Sequence, residues 1–455
     1  MEYQTINPFT EEVIKTFPMH TDEQLEEIIA KAESVYKNDW SQRSLAERKK
    51  IVKKAATILR ENVDEFAKPI TLEMGKLFGE AQAEVTLSAD ILEYYADNAS
   101  TFLAPRKLKV AEGEAIVESG PLGVLFCVEP WNFPYYQLAR VAGPDLMTGN
   151  VVIIKHAPNV PQCALAFEKL FLDAGAPGGV YTNVFLSNEQ AAKAVADPRI
   201  RGVALTGSER AGSAVASEAG QALKKSTMEL GGSDAFIVLD DADLDTAVKW
   251  GVWGKMNNTG ECCVAAKRFI LHETIADTFL ERFRKKLAAL VPGDPMDPKT
   301  TLGPLCTKGA LELVEKQIQV AVDGGAKVLL GGKRLNRPGY FLEPTILTDI
   351  TPENPAFHVE FFAPVALVFR VKNENEAIAL ANDSPYGLGG SVITKDVERG
   401  KRIARKIETG MVFINQATWT APDLPFGGVK NSGYGRELSE LGISEFVNKK
   451  LIRVA

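Results

Sequence analysis

The chain has 455 residues, of which 45% are hydrophobic and 24% are charged, a composition typical of a globular protein with two or three domains. The formal net charge of −7 disfavours a nucleic-acid or acidic-membrane partner, because both require clustered Lys and Arg. No apolar run approaches the roughly 20 residues of a membrane helix, and the first residues lack the pattern of a signal peptide. We therefore expect a cytoplasmic protein without a nucleic-acid or membrane partner.

The cysteines and histidines indicate neither a disulfide framework nor a metal site. The five cysteines lack framework spacing in this long chain, which fits a reducing compartment. The four histidines lie far apart and show no paired spacing such as His-x-x-x-His. We expect no metal.

Helical patterns dominate the first hundred residues. From residue 21, with Thr21 and Asp22 as the predicted cap region, apolar residues recur at helical spacing to about residue 99. Residues 102–119 then change to short segments that contain Pro105 and Gly113, which predicts an extended hairpin. Such a protruding arm often serves assembly, and an ordinary surface hairpin is the alternative.

From residue 123 onward, short apolar strands alternate with helices. We predict strands at residues 124–128, 151–154, 180–185, 203–205 and 235–238, separated by helices. This alternation is typical of a parallel, doubly wound α/β sheet. A second alternating block runs from about residue 243 to 413. Residues 445–453 resemble a final strand that extends a neighbour's sheet, which indicates a homo-oligomer.

The most unusual segment is residues 256–268, where Cys262 and Cys263 follow a polar turn that contains Gly260. A free Cys is usually a small buried hydrophobe, whereas a thiol placed at such a turn is a candidate nucleophile. The residues that follow, 264–266, are predicted to begin a helix. Upstream, Glu229 precedes two glycines and Asn132 lies between two prolines. A thiol, a carboxylate and a fixed amide together suit covalent acyl chemistry, although each alone is equally explained by a structural role.

Two features indicate a nucleotide site. At residues 205–212 an apolar strand runs into glycines and then a helix, which offers backbone N–H groups and a helix N-terminus to a pyrophosphate. The full Gly-x-Gly-x-x-Gly pattern is absent, so an ordinary strand-to-helix turn remains open. Lys155 ends a predicted strand of the same sheet, at the edge where nucleotides bind, and a solvated strand-end lysine is the alternative.

Five segments in order resemble those of the aldehyde dehydrogenase superfamily. They are Pro-Trp-Asn-Phe-Pro at residues 130–134, Glu-Leu-Gly-Gly at 229–232, Gly-Glu-Cys-Cys at 260–263, Glu-Phe-Phe-Ala-Pro at 360–364 and Pro-Phe-Gly-Gly-Val-Lys-Asn-Ser-Gly at 425–433. The joint match spans most of the chain and is highly specific.

The resemblance implies an α/β aldehyde dehydrogenase-like fold with three parts. These parts are a dinucleotide-binding domain at residues 1–99 and 120–230, a catalytic domain at 231–430, and an oligomerisation arm at 100–119 and 438–455. A homodimer or homotetramer is expected.

The resemblance also implies chemical roles. Cys263 is the expected nucleophile, Glu229 the general base that activates water to hydrolyse a thioester, and Asn132 an oxyanion donor together with the Cys263 N–H. The expected cofactor contacts are Trp131, Lys155, Pro158, Gly207, Ser208, Gly212, Leu230, Glu360 and Phe362. Strongly NAD-selective relatives have Glu at the position of Pro158, where it repels a 2′-phosphate. We therefore expect NADP or NAD as the cofactor.

Within the superfamily, the chain resembles the bacterial succinate-semialdehyde dehydrogenases. Arg140 is similar to an Arg that pairs with the distal carboxylate of the substrate, and Thr420 is expected to line the channel. The resemblance therefore implies NAD(P)-dependent oxidation of succinate semialdehyde to succinate. The alternatives are an enzyme for other aliphatic or aromatic aldehydes, a coenzyme A-acylating enzyme, and an inactive cofactor-binding or structural protein. For Arg140 itself, a salt bridge on a helix face is the alternative.

Two departures from the family pattern lie beside the nucleophile. Glu261 stands where the family usually has Gln, and a carboxylate there is expected to raise the pKa of Cys263. Glu261→Gln is then expected to move the rise of activity to lower pH, unless Glu261 faces solvent. Cys262 is a candidate redox partner of Cys263, or a residue without a role of its own.

Overall fold

The amino-terminal part is largely helical in a computed structural model that describes residues 2–455. Its elements are β1 (Tyr3–Ile6), β2 (Val13–Phe17), α1 (Asp22–Asn38), α2 (Leu45–Glu61), α3 (Val63–Met74) and α4 (Phe78–Phe102). Thr21 caps α1 and Ser44 caps α2, each in a reciprocal capping box, which confirms the predicted helix start near Thr21. The β1–β2 hairpin was not predicted, because strands this short show little periodicity.

The next part confirms the predicted hairpin and the alternation of strands and helices. Its elements are β3 (Arg106–Leu108), β4 (Glu114–Pro121), β5 (Val124–Glu129), α5 (Pro134–Thr148), β6 (Val151–His156), α6 (Pro161–Ala174), β7 (Tyr181–Asn183), α7 (Asn188–Ala196), β8 (Ile200–Thr206), α8 (Glu209–Gln221) and β9 (Lys225–Glu229). Five of these strands form a parallel sheet in the order β9-β8-β5-β6-β7. The strand order reverses at β5, and ligands of doubly wound sheets bind outside the carboxyl ends of the strands at such a point.

A second sheet forms from the following part of the chain. The elements are β10 (Asp234–Val238), α9 (Leu244–Met256), β11 (Ala266–His272), α10 (Glu273–Ala288), α11 (Lys308–Asp323), β12 (Lys327–Leu330), β13 (Thr345–Thr348), β14 (Val365–Val371), α12 (Glu374–Asn382), β15 (Tyr386–Gly387), β16 (Gly390–Ile393), α13 (Val397–Ala404), β17 (Phe413–Ile414), β18 (Val429–Lys430), β19 (Gly433–Tyr434), α14 (Ser439–Ile443) and β20 (Val447–Val454). The sheet order is β12-β13-β14-β11-β10-β16-β17.

The predicted helix start at residues 264–266 is wrong. Residues 262–265 form a turn, and Ala266 begins strand β11, where it pairs with Asp234 of β10. The run from Phe269 to Leu271 is fully buried between two cores, and a continuous apolar run of this length suits a central strand of a parallel sheet.

Segments near the carboxyl terminus return to the first sheet and to the arm. Strand β19 pairs with β9, with Gly433 opposite Glu229. Strand β20 pairs with β4 of the same chain along its whole length, from Val447 opposite Pro121 to Val454 opposite Glu114. The final strand is therefore confirmed, and its partner is the chain's own hairpin. None of the helices among residues 2–455 is both long and apolar enough to cross a membrane.

The thiol segment lies between the two sheets. In sequence, this segment follows helix α9 of the second α/β part. Its apolar side chains nevertheless pack into the hydrophobic core that surrounds the first sheet, and they are those of Cys262, Val264 and Ala265. Phe426 belongs to the same core. The crevice between the sheets is consequently lined by segments from both.

Candidate active site

The turn before the two cysteines has an unusual backbone. Asn258 and Thr259 both have φ of 52° and Gly260 has φ of 77°, so three consecutive residues adopt the left-handed region. A non-glycine residue in such a conformation costs on the order of 1 to 3 kcal/mol, and therefore needs support from its surroundings. The Asn258 side chain supplies that support by donating hydrogen bonds to the Asn132 and Glu261 carbonyls, both at 2.9 Å. The thiols that follow are held in one orientation.

Cys262 and Cys263 form a coupled pair of thiols. Cys262 is buried and Cys263 is half-buried. A hydrogen bond between the two sulfur atoms lowers the pKa of Cys262 and raises that of Cys263, and burial adds to the rise at Cys263. Two thiols that share a hydrogen bond release the first proton easily and the second with difficulty. Cys263 therefore holds its proton more tightly than Cys262, and both cysteines line the cavity between the sheets.

Lys267 favours the thiolate form of both cysteines. Its ammonium group donates to the carbonyl oxygens of Cys262 at 2.8 Å and of Cys263 at 2.7 Å, and its charge lowers the pKa of both thiols. Sequence reasoning missed Lys267, although it follows the nucleophile by one helical turn's length in sequence. Because residues 264–266 were predicted to begin a helix, the contact between the Lys267 side chain and the two cysteine carbonyls was not foreseen.

Asn132 lies next to the thiol segment. It follows β5, and its carbonyl oxygen accepts hydrogen bonds from Lys76 Nζ and Asn258 Nδ2, each at 2.9 Å. Its side-chain amide donates to the Glu261 carbonyl at 3.2 Å. Asn132 is thus fixed through both its backbone and its side chain, as an oxyanion donor has to be.

Glu229 ends β9 and is only 2% exposed. Both of its carboxyl oxygens lack a hydrogen-bond partner among residues 2–455, and a Cβ atom on Gly427 would lie 2.6 Å from one of them. Burial and then the charge of Glu437 raise its pKa well above the usual range, against the opposing effect of Arg140. A buried carboxyl group without fixed partners and with a raised pKa suits general-base chemistry near neutral pH.

The segment that begins at Glu229 also reaches the nucleophile. Three residues after Glu229, a Cβ atom on Gly232 would lie 2.7 Å from the Cys263 carbonyl oxygen. Glycine is required at this position because the two backbones pass so closely. The segments that carry Cys263, Asn132 and Glu229, which the sequence separates widely, thus contact one another in the structure.

Three predicted cofactor residues meet on the second-sheet side of the crevice. The Trp131 and Phe362 rings are 5.9 Å apart and approach edge to face. Glu360 accepts hydrogen bonds from Gly232 N at 3.1 Å and pairs with Lys267 at 3.0 Å. These residues form one connected wall beside the thiols.

Four other predicted cofactor residues surround the start of α8. Ser208 caps this helix by accepting from Ala211 N, and a Cβ atom on the preceding Gly207 would meet only Leu205 Cδ2, at 3.7 Å. A Cβ atom on Gly212 would lie 2.5 Å from Leu230, so Leu230 covers the first turn of the helix. The helix start presents free backbone N–H groups to the crevice, which is the arrangement that binds a phosphate.

Lys155 and Pro158 lie at the carboxyl end of β6 and just beyond it. Lys155 is 6% exposed, and no carboxylate among the described residues lies within ion-pair distance of its ammonium group. Burial lowers its pKa. A buried cation without an anionic partner fits a phosphate or ribose ligand, so the residues of this edge suit a nicotinamide dinucleotide.

The predicted substrate residues differ in their positions. Thr420 lines a narrow cavity above Cys263, together with Phe133, Tyr136, Gln137, Trp419 and Phe426. Arg140 is 1% exposed and lies behind that wall, where it pairs with Glu437. Its guanidinium also donates to the Tyr136 hydroxyl at 3.2 Å and to Thr206 Oγ1 at 3.1 Å. The Tyr136 hydroxyl is 2.9 Å from Thr420 Oγ1, so Arg140 reaches the cavity through Tyr136.

The role of Arg140 as a carboxylate clamp therefore stays a prediction, and direct contact with a substrate requires it to turn from its present partners. Sequence reasoning missed both Tyr136 and Glu437. Their positions follow from helix α5 and from the carboxyl-terminal segment meeting in space, which local patterns do not report.

A second cavity, of about 860 Å³, lies beside β14 in the second sheet and is lined by none of the predicted site residues. Cavity size alone would therefore select the wrong location. The convergence of the thiol, the amide and the carboxyl group is the better guide.

Glu261 does not face Cys263 or solvent with its carboxyl group. The side chain is fully buried, and both oxygens accept from Cys306 N at 3.1 Å. The pKa of Cys263 is instead raised by Cys262 and by burial. The expectation that Glu261 raises the pKa of Cys263 is therefore wrong. The alternative that Glu261 faces solvent is also wrong.

We expect Glu261→Gln to leave the pH profile of activity unchanged and to alter the pH dependence of stability. Burial raises the pKa of Glu261 well above its usual range. Its contribution to stability is therefore full below the unfolded-chain pKa of about 4.3 and is lost as the pH rises through the folded-state pKa. Because Gln does not titrate, the melting temperature of the variant relative to the parent should be higher at about pH 8 than at about pH 5. A pH-independent difference, or a shifted activity profile, contradicts this expectation.

Comparison with known proteins identifies the family to which the chain is similar. A model of the Aldehyde dehydrogenase family matches residues 1–452. The NADP(+) succinate-semialdehyde dehydrogenase of Deinococcus radiodurans is 51% identical over 451 residues, which cover 99% of this chain and 94% of that protein. A solved structure concerned with cofactor and substrate selection is 59% identical, covers 100% of both chains and has a TM-score of 0.99. The succinic semialdehyde dehydrogenase of Streptococcus pyogenes, solved with NADP+, is 48% identical, covers 99% of both chains and has a TM-score of 0.98.

Proposed function

The chain belongs to the aldehyde dehydrogenase family, and on that premise we propose that it oxidises succinate semialdehyde to succinate with NADP. The proposal is carried by the contact between the segments of Cys263, Asn132 and Glu229. Cys263 lines a cavity together with Tyr136 and Thr420, and the Arg140 guanidinium lies behind Tyr136. The relatives named as NADP-dependent succinate-semialdehyde dehydrogenases support both the substrate and the cofactor.

The first chemical step uses the thiolate form of Cys263, which the charges of Lys267 and Arg140 favour. Cys263 attacks the aldehyde carbon, and the carbonyl oxygen becomes an oxyanion that the Asn132 amide and the Cys263 N–H hold. When bound, the nicotinamide cofactor accepts the hydride that leaves the aldehyde carbon. Glu229 then takes a proton from a water molecule, which hydrolyses the thioester on Cys263 and releases the acid.

The chain's own residues hold the cofactor in this scheme. Gly207 and Ser208 at the start of α8 bind the pyrophosphate, with Gly212 and Leu230 shaping that turn. Glu360, Phe362 and Trp131 position the nicotinamide end. Lys155 binds the adenosine ribose or its 2′-phosphate, and Pro158 brings no carboxylate that would repel the phosphate. The unpaired charge of Lys155 supports NADP over NAD.

A second substrate class has its own support. The cavity beside Cys263 is lined by four aromatic side chains, those of Phe133, Tyr136, Trp419 and Phe426, and Arg140 is not part of its wall. An apolar lining of this kind favours an uncharged aliphatic or aromatic aldehyde. The two candidates differ in whether Arg140 contributes to the binding of a charged substrate.

We expect Arg140→Gln to lower the ratio of kcat/KM for succinate semialdehyde to kcat/KM for butanal about 100-fold, because only the first substrate carries a carboxylate. Both substrates are measured with NADP and with NAD. The parent should prefer succinate semialdehyde, and NADP over NAD.

This variant needs a control, because Arg140→Gln leaves Glu437 buried without its partner. The double variant Arg140→Gln with Glu437→Gln restores neutrality and should show the same loss of preference. Glu437→Gln alone should retain the preference for the charged aldehyde. Equal losses for both aldehydes in the double variant would leave Arg140 a structural role only and favour the uncharged substrate class.

We also propose that the chain assembles as a homodimer or homotetramer in the cytoplasm. The outer part of β20 carries exposed apolar side chains, including Leu451 at 59% and Val454 at 56%, on the three-stranded arm. All five cysteines are free, in keeping with a reducing compartment.

A further inference from the structure

A buried ion pair lies directly behind Asn132, the expected oxyanion donor. Lys76 stands in the short loop between α3 and α4, and Glu84 lies near the start of α4. Each side chain is only 1% exposed, and the Lys76 ammonium group pairs with one oxygen of the Glu84 carboxylate. The chemistry described above gives this pair no role.

The Lys76 side of the pair holds the backbone of Asn132. Lys76 Nζ donates to the Asn132 carbonyl oxygen at 2.9 Å and lies 3.7 Å from the centre of the Phe133 ring. A hydrogen bond from a cation to an oxygen is stronger than a neutral one, and a cation over an aromatic face is attracted to the ring. Lys76 thus fixes the backbone from which the Asn132 side chain projects.

The Glu84 side of the pair holds the start of helix α5. Its other carboxyl oxygen accepts hydrogen bonds from Tyr135 N at 2.8 Å and from Tyr136 N at 3.2 Å. The N-cap residue of α5 is Phe133, whose side chain has no hydrogen-bonding group, so Glu84 supplies the acceptor that the first N–H groups need. A carboxylate also suits the positive end of a helix. Asn132 is therefore followed at once by a second point that the ion pair holds.

Stability alone does not account for this arrangement. Moving two charges from water into a protein interior is costly, and apolar side chains of similar volume often stabilise a protein equally well or better. Apolar side chains cannot, however, donate to the Asn132 carbonyl or accept from the first N–H groups of α5. The specific effect of the ion pair is therefore the position of the residues between β5 and α5.

The position of the Asn132 amide matters in both halves of the proposed reaction. An oxyanion forms when Cys263 attacks a carbonyl carbon, and again when water attacks the thioester. A displacement of about 1 Å in such a site can reduce the rate about 100-fold. The amide itself makes only long bonds, donating to the Glu261 carbonyl at 3.2 Å and accepting from Gln137 Nε2 at 3.5 Å. Its placement thus depends on its backbone.

We propose that Lys76 and Glu84 are positioning residues for the Asn132 amide, which they place through the Asn132 carbonyl and the start of α5. The wall of the cavity beside Cys263 includes Tyr136 but neither member of the pair, so the pair acts on the reaction through Asn132. The inference rests on the proposed function, in which the Asn132 amide holds the oxyanion.

An activated ester measures both halves without a nicotinamide cofactor. 4-Nitrophenyl acetate acylates a thiolate directly, so the burst of nitrophenolate reports acylation of Cys263 and the steady rate reports hydrolysis of the thioester. The test variant combines Lys76→Met with Glu84→Gln, which removes both charges and keeps an acceptor for the N–H groups of α5. We expect the burst rate constant and the steady rate each to fall about tenfold or more, because the oxyanion forms in both steps.

Two further measurements on this neutral variant separate position from stability. The dissociation constant of NADP should stay within about twofold of the parent, because the loss falls on the reaction steps and not on binding. The melting temperature should be at least that of Lys76→Met alone, which leaves the buried Glu84 carboxylate without its partner.

A double-mutant cycle tests whether the pair acts through Asn132. In Asn132→Ala the amide is already absent, so adding Lys76→Met and Glu84→Gln should lower the burst rate constant less than about twofold further. Losses that multiply would show a role independent of the amide and would overturn the inference.

The matched control lies three residues before Lys76. Glu73 on α3 is also a buried carboxyl group, and it accepts from the first N–H groups of α6, those of Gln162 and Cys163. Glu73→Gln should leave the burst and the steady rate unchanged. If it lowers them as much as the neutral variant does, the loss reports a general disturbance of α3 and the inference fails.

Two outcomes of the neutral variant also overturn the inference. One is a burst and a steady rate equal to those of the parent, and the other is a loss of NADP binding as large as the loss of rate, which indicates a structural defect. Failure of the proposed function looks different. The parent would then show no NADP reduction with succinate semialdehyde, whatever the ester phases do.

Discussion

Replacing Cys263 with Ala should abolish aldehyde oxidation, with a loss of at least about 10⁴-fold in kcat, because the covalent path has no other nucleophile in the same position. It should also abolish the burst of nitrophenolate that the parent releases when 4-nitrophenyl acetate acylates Cys263 without a cofactor. Cys262 is the nearest candidate to substitute for it and also lines the cavity, yet Cys262 is buried in the hydrophobic core whereas Cys263 is half-buried. The measurement is NADP reduction with succinate semialdehyde at enzyme concentrations high enough to detect residual turnover.

The adjacent cysteine provides the matched control for this variant. Cys262→Ala removes the hydrogen bond that couples the two sulfurs, so the remaining thiol titrates alone. We expect Cys262→Ala to keep the burst and to retain activity within about tenfold of the parent, since one coupled hydrogen bond is worth about 1 kcal/mol. If Cys262→Ala loses as much as Cys263→Ala, the assignment of the nucleophile to Cys263 fails.

Glu229→Gln should separate the two halves of the reaction. We expect acylation of Cys263 to proceed and hydrolysis of the thioester to slow by about 10³-fold, within the range that a general base contributes. The enzyme should then accumulate as an acyl adduct during turnover. The mass of the intact protein, measured after mixing with 4-nitrophenyl acetate, should show one added acetyl group per chain.

This variant also tests whether Glu229 acts before or after the thioester. A burst of normal size with a greatly reduced steady rate places it after acylation. A lost burst would mean that Glu229 is needed to form the thiolate of Cys263, and the assignment of that role to Lys267 would be contradicted. Glu229→Asp keeps a carboxyl group on a side chain that is shorter by one methylene. It should recover part of the steady rate that Glu229→Gln loses.

The glutamates of the first sheet also explain why Arg140 is difficult to interpret from sequence. Arg140 satisfies Glu437 and stabilises charge on Glu129 and Glu229, and it donates to the Tyr136 hydroxyl in the cavity wall. Removing Arg140 therefore changes substrate binding, the pKa of Glu229 and the stability of the buried carboxyl groups at the same time. Only variants that preserve the charge balance separate these effects.

Much of the fold was accessible from local patterns. The strands β5, β6, β7, β8 and β10 and the helices between them were predicted because apolar runs and helical spacing report which backbone conformation buries them. The hairpin and the final strand were predicted for the same reason. Strand β9 (Lys225–Glu229) was not predicted, and other predictions failed or were missing where the segments were short or ambiguous. Residues 264–266 begin a strand, and the β1–β2 hairpin went unpredicted, since a few apolar residues fit either period equally well.

The sequence by itself determined the chemical types at the site, because the five segments that include Cys263, Glu229 and Asn132 jointly resemble those of the aldehyde dehydrogenase superfamily, whereas each residue alone fits a structural role equally well. The tertiary structure alone decided which of these groups meet and what surrounds them. The packing of the α3–α4 loop placed Lys76 behind Asn132, and the buried partner of Arg140 proved to be Glu437 from the far end of the chain. The physical reason is that periodicity encodes burial and backbone conformation within a segment, whereas pairing between segments depends on strand order and packing that no single segment carries.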